Sequence, residues 1–340
     1  MSIGGRDSIA VPGPGRMIGV SQSSAEQHPS RVVVVLSVLG AVACGALVAV
    51  QSRFNGDLGT RSADRLFAAV VSFGVGLLLI GLVTIGRRSG RAGLRTAWQS
   101  FRSGTPPRWL FFGGLFGAVT VLSQTTTVGV LGVAMFTVAL VAGQVLSGLI
   151  VDRTGFAGVL RKPLTPNRVL GAALAIAAAL LAGIPQLRGG ATVLLLLLLP
   201  FLAGCLNSFQ FAMNGRIRLL THSAPTATTV NFTVGLLALL IAFGGKLLVT
   251  GRPPTPPAEW WLYLGGAIGV LVIGANTVLV RHIGVLLLLM ATIAGQVLAS
   301  LIIDALFFHH APPLSTLIGA AITMIGVLVA AAPKRRVAID

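Results

Sequence analysis

The sequence is short of charged residues. Only 10% of its 340 residues are Asp, Glu, Lys or Arg, whereas about 25% is usual for soluble domains. Apolar residues make up 54% of the chain, and the mean hydropathy is +0.90. A soluble domain could not cover so much apolar surface with so few charges. The composition therefore predicts an integral membrane protein whose main partner is the lipid bilayer.

Acidic residues are scarcest of all, with 8 Asp and Glu against 25 Lys and Arg and a formal net charge of +17. Such a balance can indicate nucleic-acid binding. Here the basic residues lie in short gaps between apolar runs, where the positive-inside rule places them. We therefore expect no nucleic-acid partner.

The sequence also lacks motifs for catalysis or metal binding. It contains no P-loop, no HExxH pair and no GxSxG elbow. Its two cysteines, Cys44 and Cys205, both lie inside apolar runs and do not form a metal-site spacing. The adjacent histidines His309 and His310 fall in a predicted loop, which does not make a metal site. We expect a protein that is not an enzyme and that has no cofactor or metal.

Charged residues divide the rest of the chain into apolar intervals. They are 32–52, 66–86, 109–151, 169–187, 189–215, 219–245, 260–280, 283–303 and 305–333. A helix needs roughly 20 apolar residues to cross about 30 Å of hydrocarbon. Eight intervals fit one crossing each, and the interval 109–151 is long enough for two, with a turn at Gly129 and Gly132. The sequence therefore predicts an all-α polytopic membrane protein with ten transmembrane helices.

The two ends of the chain are polar. Residues 1–30 are rich in Gly, Ser and Pro and are expected to form a disordered cytoplasmic tail. Residues 334–340 form a basic tail. With ten spans both termini share a side, and that side carries 19 Lys and Arg against 6 on the other. The positive-inside rule then predicts that both termini are cytoplasmic.

The chain repeats itself. The stretch AGQVLSGLIVD at 142–152 recurs as AGQVLASLIID at 294–304, and QSRFNG at 51–56 recurs as QFAMNG at 210–215. These offsets of 152 and 159 residues define a first five-helix repeat over 31–187 and a second over 188–333. An odd number of spans in each unit inserts the second copy upside down, which is the inverted-repeat architecture of many secondary transporters.

Polar side chains recur at equivalent positions inside the spans. Gln144 and Gln296 each occupy the middle of an apolar helix, where an amide needs a partner. They either face a substrate or form helix–helix hydrogen bonds worth about 0.6 kcal/mol each, and the sequence leaves both alternatives open. The other candidate substrate-binding residues are Gln51 and Gln210, Gln124 and Asn276, and Ser72 and Asn231.

Two further residues, Asn55 and Asn214, precede glycines near the ends of spans. An Asn-Gly pair commonly ends a helix. We expect both to be helix stops.

Two carboxylates end membrane helices at equivalent positions, Asp152 and Asp304. The helix dipole disfavours an acid at a helix C-terminus, so local propensity does not explain them. If protons drive transport, these are the candidate ion-coupling residues, one toward each face of the membrane. The alternative, which we favour, is an interface anchor or an ion pair with a nearby base such as Arg153.

The motifs QSRFNG (51–56), SFGVG (72–76) and GQVLSGLIVD (143–152) resemble the drug/metabolite transporter superfamily, and within it the YdcZ-like, EamA-like branch of bacterial inner-membrane exporters. The resemblance covers about residues 32–333. Many members of that branch resemble a single five-helix half that would have to pair, whereas this chain resembles a fused two-half form. The second half departs from the pattern, since Arg53 is matched by Ala212 and Gly129 by Arg281.

The resemblance implies a transporter of a small metabolite or drug that works by alternating access at a site between the repeats. Because the deep polar groups are mostly amides and hydroxyls, a neutral or zwitterionic substrate fits better than a bare cation. A membrane scaffold or accessory subunit that transports nothing is the competing class. The sequence leaves open whether the fused chain forms a homodimer.

Overall fold

The computed structural model describes residues 31–158, 161, 163–183, 191–307 and 313–331. The tails predicted for 1–30 and 334–340 lie outside these residues. Every regular element that the structure describes is helical, in agreement with the all-α class. The α-helices are α1 (Arg31–Arg61), α2 (Arg65–Gly86), α3 (Arg88–Ser103), α4 (Gly113–Leu131), α5 (Val133–Thr154), α6 (Pro166–Gly183), α7 (Ala191–Thr221), α8 (Ala224–Thr250), α9 (Gly265–Phe307) and α10 (Leu314–Ala331). Short 3-10 helices cover Arg108–Phe112, Phe156–Gly158 and Trp260–Leu264.

Much of the described chain has the length and apolar character of membrane spans. Seven stretches qualify, and they lie in α1, α2, α4, α5, α7, α8 and the second part of α9. Three shorter apolar helices cover Pro166–Ala182, Trp260–Asn276 and Leu314–Val329. The chain is thus a polytopic helical membrane protein.

Helix α9 differs from the prediction, because its helical hydrogen bonding runs through all 43 residues without the end predicted at Arg281. A straight helix of that length would measure about 64 Å, roughly twice the hydrocarbon thickness of ~30 Å. The middle of α9 reaches the first part of α1, where a Cβ atom built on Gly40 would lie 3.2 Å from the Leu279 side chain.

Both ends of α9 contact the same part of α1, nearer its C-terminal end. At one end of α9, a Cβ atom on Gly265 would collide with the side chain of Asn55. At the other end, the ring of Phe307 lies under the guanidinium of Arg53, 5.6 Å from it. Since Arg53 and Asn55 are neighbours, α9 is not straight: it turns back on itself between its ends, although it is assigned as helical throughout.

The helices approach most closely at glycines, and these contacts are reciprocal between the halves. A Cβ atom on Gly114 of α4 would collide with the carbonyl oxygen of Asn231 on α8. In the same way, a Cβ atom on Gly266 of α9 would collide with the carbonyl oxygen of Ser72 on α2. The two contacts join equivalent residues with the halves exchanged. Small residues of this kind allow helix backbones to pack in a bilayer, where the hydrophobic effect does not drive helices together.

A second set of glycine contacts also joins equivalent residues with the two halves exchanged. It joins α5 to α7 and the second part of α9 to α1. Four glycines would each place a Cβ atom against a backbone carbonyl of the facing helix, and the pairs are Gly143 with Phe201, Gly204 with Leu140, Gly295 with Val42, and Gly45 with Thr292.

Two of the predicted helix stops are wrong. Asn55 lies inside α1, which continues to Arg61, and Asn214 lies inside α7, which continues to Thr221. The side chain of Asn55 is fully buried and hydrogen-bonded to a neighbouring helix, so it does not cap its own. Tertiary packing outweighs the local preference of the Asn-Gly pair.

The charged segment between the apolar intervals 66–86 and 109–151, which the sequence leaves as a connection between two spans, contains the additional helix α3. Its buried residues are Gly90, Gly93 and Ala97, which recur at helical spacing. Ala97 packs in a cluster with Ile217 of α7 and other residues of the neighbouring helices. The helix therefore lies across the ends of the membrane helices.

Candidate functional site

The eight candidate substrate-binding residues lie on seven helices. Five of the side chains are buried, namely Ser72 on α2, Gln124 on α4, Gln210 on α7, Asn231 on α8 and Gln296 on α9. The other three are half-buried, namely Gln51 on α1, Gln144 on α5 and Asn276 on α9. A buried amide needs hydrogen-bond partners, so what each one contacts determines what it can do.

Gln124 joins α4 to α1. Its side-chain oxygen accepts a hydrogen bond of 2.7 Å from Nδ2 of Asn55, and its Nε2 donates one of 3.1 Å to the hydroxyl of Ser52. Each of the three side chains is at most 4% exposed. This network fixes the two helices of the first half against each other.

Gln210 joins α7 to α8 in the second half. Its Nε2 donates a hydrogen bond of 3.0 Å to the side-chain oxygen of Asn231. Thr120 of α4 donates one of 2.8 Å to Asn207 of α7, which links the halves. Gln124, Gln210 and Asn231 thus have partners on neighbouring helices, while a contact with substrate stays a prediction.

Two of the eight candidate residues have an enclosed side-chain polar atom without a hydrogen-bond partner among the described residues. These atoms are Nε2 of Gln296 and Oδ1 of Asn276, both on α9. An unpaired polar atom in the membrane interior costs a few kcal/mol, about 1–3 in proteins generally, and a bound solute or water would recover that cost. Of the candidates, Gln296 and Asn276 therefore have the hydrogen-bonding capacity that a ligand could use.

Gln144 and Gln296 occupy equivalent packing environments. A Cβ atom on Gly204 of α7 would lie 3.0 Å from the backbone nitrogen of Gln144, and one on Gly45 of α1 would lie 2.7 Å from that of Gln296. Ser208 also donates a hydrogen bond of 2.9 Å to the carbonyl oxygen of Gln144. Both glutamines therefore lie where helices of opposite halves meet.

Asp304 binds the beginning of helix α5. Its two carboxylate oxygens accept hydrogen bonds of 2.8 Å each from the backbone N–H groups of Val133 and Ala134. Gly132, with φ of 81°, separates α4 from α5 there, and a Cβ atom on it would lie 2.7 Å from the carboxylate. An acid that is unfavourable at the end of its own helix thus caps the N-terminus of another, where the dipole favours it. We call this contact the α5 clasp.

Asp152 lies at the other end of α5 and forms an ion pair with Arg168 of α6. Nineteen residues separate Val133 from Asp152, which places the two acids about 29 Å apart along the helix. Asp152 and Asp304 therefore have separate partners at opposite ends of α5, and a role for either in ion coupling stays a prediction.

Sequence reasoning passed over Arg53 as a site residue. Its Nε atom lies 2.9 Å from the carboxylate of Asp57, and its side chain is only 16% exposed. The guanidinium also lies over Phe307, one turn beyond Asp304. A charged residue inside a membrane helix is the signal that could have identified it.

Residues of the kinds that bind metals do not cluster in the described part of the chain. Among the described residues, no group of three or more His, Cys, Asp or Glu side chains could hold a metal ion. The polar chemistry of the helix interior consists of amides, hydroxyls and the few ionic groups described above.

Comparison with known proteins gives a family and a fold. The model of the family described as "Putative inner membrane exporter, YdcZ" matches residues 36–181 and again residues 195–329. No curated protein matches the chain. Four chains of solved structures match it. One of them, described as "Crystal structure of protein", superposes with a TM-score of 0.53 over 88% of this chain and 97% of its own length, at 20% identity. That likeness concerns the fold alone.

Proposed function

The chain belongs to the YdcZ family of inner membrane exporters, and from that premise we propose that it exports a small metabolite or drug as a secondary transporter working by alternating access. The family model matches once in each half, which confirms the fused two-half form that the motifs predicted. This double match is the observation that carries the proposed function. A membrane scaffold is the alternative, and the transport experiment below distinguishes the two.

The proposed architecture is ten spans in two inverted repeats. The seven membrane-length stretches and three shorter apolar helices supply ten candidates. The reversal within α9 supports two crossings in that segment. Reciprocal glycine contacts, such as Gly114 with Asn231 and Gly266 with Ser72, support two halves related by a twofold axis. With the axis in the membrane plane, both termini would lie on the same side of the membrane. The excess of basic residues on that side favours the cytoplasm.

The proposed substrate site lies between the halves near the bilayer midplane. Gln144 and Gln296 lie at equivalent interfaces of the two halves, and Gln296 and Asn276 carry the unpaired polar atoms. Amides can both donate and accept hydrogen bonds, which suits a neutral or zwitterionic solute. Gln51, Gln124, Gln210, Ser72 and Asn231 complete the proposed polar lining.

The α5 clasp supports a role for Asp304 as the outer gate. It holds α9 of the second half to α5 of the first half through a charge-assisted pair of hydrogen bonds. Protonation would remove the negative charge and weaken both bonds, so α5 could separate from α9. The pair of Asp152 with Arg168 occupies the opposite end of α5 and would form the inner gate.

Two measurements test the function. Extracellular and intracellular metabolites are first compared between deletion and overexpression strains, because an exporter depletes its substrate from overexpressing cells. The solute found this way is then assayed with purified protein in liposomes. We expect saturable flux that empty liposomes lack. A purified, folded protein that gives no saturable flux of that solute would indicate the scaffold instead.

A further inference from the structure

Helix α3 carries a continuous basic face. At 100° per residue, its four arginines and Trp98 fall within an arc of about 80°. All five side chains are exposed, and they are Arg88, Arg91, Arg95, Trp98 and Arg102. We call this arc the α3 arginine face.

The opposite face of α3 fixes the helix on the protein. A Cβ atom on Gly90 would collide with the carbonyl oxygen of Thr84, and one on Gly93 would lie 2.5 Å from Oγ1 of Thr226. Ala97 is only 5% exposed and packs in a buried cluster. Because these small residues hold the helix close to α2 and α8, the α3 arginine face points away from the protein.

The charge of this face has no acidic counterpart nearby in the chain. The sequence has no Asp or Glu between Arg65 and Val151. The ion pairs among the described residues use other bases, with Asp57, Asp64, Asp152 and Glu259 paired to Arg53, Lys246, Arg168 and Arg61 respectively. Such a face attracts anions from outside the protein.

Aromatic side chains border the arginines. Trp98 is 61% exposed, and Trp109 and Phe112, which follow α3, are 46% and 42% exposed. Tryptophan is enriched at the level of lipid headgroups, because its ring is amphipathic. Exposed arginines and aromatic rings side by side on one surface are the groups that contact lipid headgroups at a membrane interface.

We propose that the α3 arginine face binds the phosphate groups of anionic phospholipids, such as phosphatidylglycerol, in the leaflet that adjoins it. Guanidinium groups bind phosphate through two parallel hydrogen bonds, and the exposed aromatics contact the lipid at the same depth. The corresponding connection of the second half contains no such helix, since residues 251–259 form no regular element and carry only Arg252 as a base. The lipid surface is thus a property of one membrane face. The proposal rests on the membrane location of the family and not on transport.

The test uses purified full-length protein in a neutral detergent. Native mass spectrometry measures the affinity for short-chain phosphatidylglycerol, with phosphatidylcholine and inorganic phosphate as comparison ligands. We expect phosphatidylglycerol to bind most tightly. The Arg95→Gln/Arg102→Gln variant should bind it about 25-fold more weakly, because each base near an anionic surface contributes a factor of about five.

Matched controls separate the α3 arginine face from net charge. Arg65→Gln/Arg252→Gln removes two exposed bases elsewhere and should retain wild-type affinity, and Arg95→Lys/Arg102→Lys should retain most of it. Because Arg95 and Arg102 are exposed, the glutamine variant should elute and melt like the wild type. Three results would overturn the proposal. The two lipids could bind with equal affinity, or the α3 glutamine variant could bind phosphatidylglycerol as tightly as the wild type does. The third is that inorganic phosphate, or an RNA oligonucleotide added as a further comparison ligand, binds as tightly as phosphatidylglycerol. None of these readings depends on transport, so the proposed exporter function is tested separately.

Discussion

Phe73 on α2 contacts Phe232 on α8, with ring centroids 5.1 Å apart and planes inclined by 52°. The two residues are 159 positions apart, which is the offset between equivalent positions of the repeats in this region. A side chain that packs on its own equivalent is the contact that a twofold axis between the halves would produce, so this pair supports the proposed inverted repeat. In the proposed architecture the contact between α2 and α8 is therefore the centre of the molecule, and Gly76 and Gly235 leave room there for the two rings.

The first prediction concerns the close glycine contacts. Gly114→Ala and Gly266→Ala each place a Cβ atom against a backbone carbonyl that no side-chain rotation can move away. Overpacking of this kind costs about 1–3 kcal/mol. Both variants should melt at a lower temperature than the wild type in detergent. Gly81→Ala, where a Cβ atom meets nothing within 4 Å, is the matched control. Equal melting of all three variants would show that the helices do not pack as described.

The second prediction concerns the amides. Gln296→Leu removes a side chain whose Nε2 has no partner among the described residues, so flux should fall while stability is kept or improved. Gln124→Leu removes the acceptor of Asn55 and should lower stability instead. Gln144→Leu should behave like the Gln296 variant if both line the path. Thermal melting and liposome flux, measured on the same preparations, separate the two effects. Full flux from both the Gln144 and Gln296 variants would leave these residues a packing role only, with bonds worth about 0.6 kcal/mol.

The third prediction concerns the carboxylates. Asp304→Asn keeps one acceptor for the α5 clasp but cannot change its charge, and Asp152→Asn does the same beside Arg168. If protons drive transport through these acids, a pH gradient should no longer concentrate substrate in either variant. Exchange at equal concentrations should survive. Asp57→Asn, which alters the acid paired with Arg53, is the control for a nearby structural pair. If both variants still concentrate substrate, the two carboxylates are structural.

Sequence patterns predicted the helical class and the two-half form because both depend on long, regular signals. Apolar intervals bounded by charges reveal spans, and the offset motifs reveal the repeat. Helix α3 was missed because the segment 87–108 contains six arginines, which is typical of a cytoplasmic loop between membrane helices. The signal was the 3–4 spacing of Gly90, Gly93 and Ala97, which only packing against Thr84 and its neighbours explains.

The contacts of the polar residues could not be predicted, because they join positions far apart in the chain. Asp304 caps a helix 171 residues earlier, and Asn55 bonds to Gln124 across 69 residues. Local rules identify no partner for either residue. The helix dipole only disfavours an acid at the position of Asp304, and the Asn-Gly pair only predicts a helix end at Asn55. In both cases a tertiary hydrogen bond satisfies the group that local propensity left unexplained.

The opposed insertion of the two repeats is tested most directly by cysteine accessibility in intact cells. The native thiols are first removed by Cys44→Ala and Cys205→Ala, and single cysteines are then placed by Thr255→Cys and Gln99→Cys at exposed positions on opposite sides of the proposed topology. An impermeant maleimide should label position 255 in intact cells and position 99 only after permeabilisation. Labelling of position 99 but not position 255 in intact cells, or equal labelling of both, would contradict the inverted repeat with cytoplasmic termini.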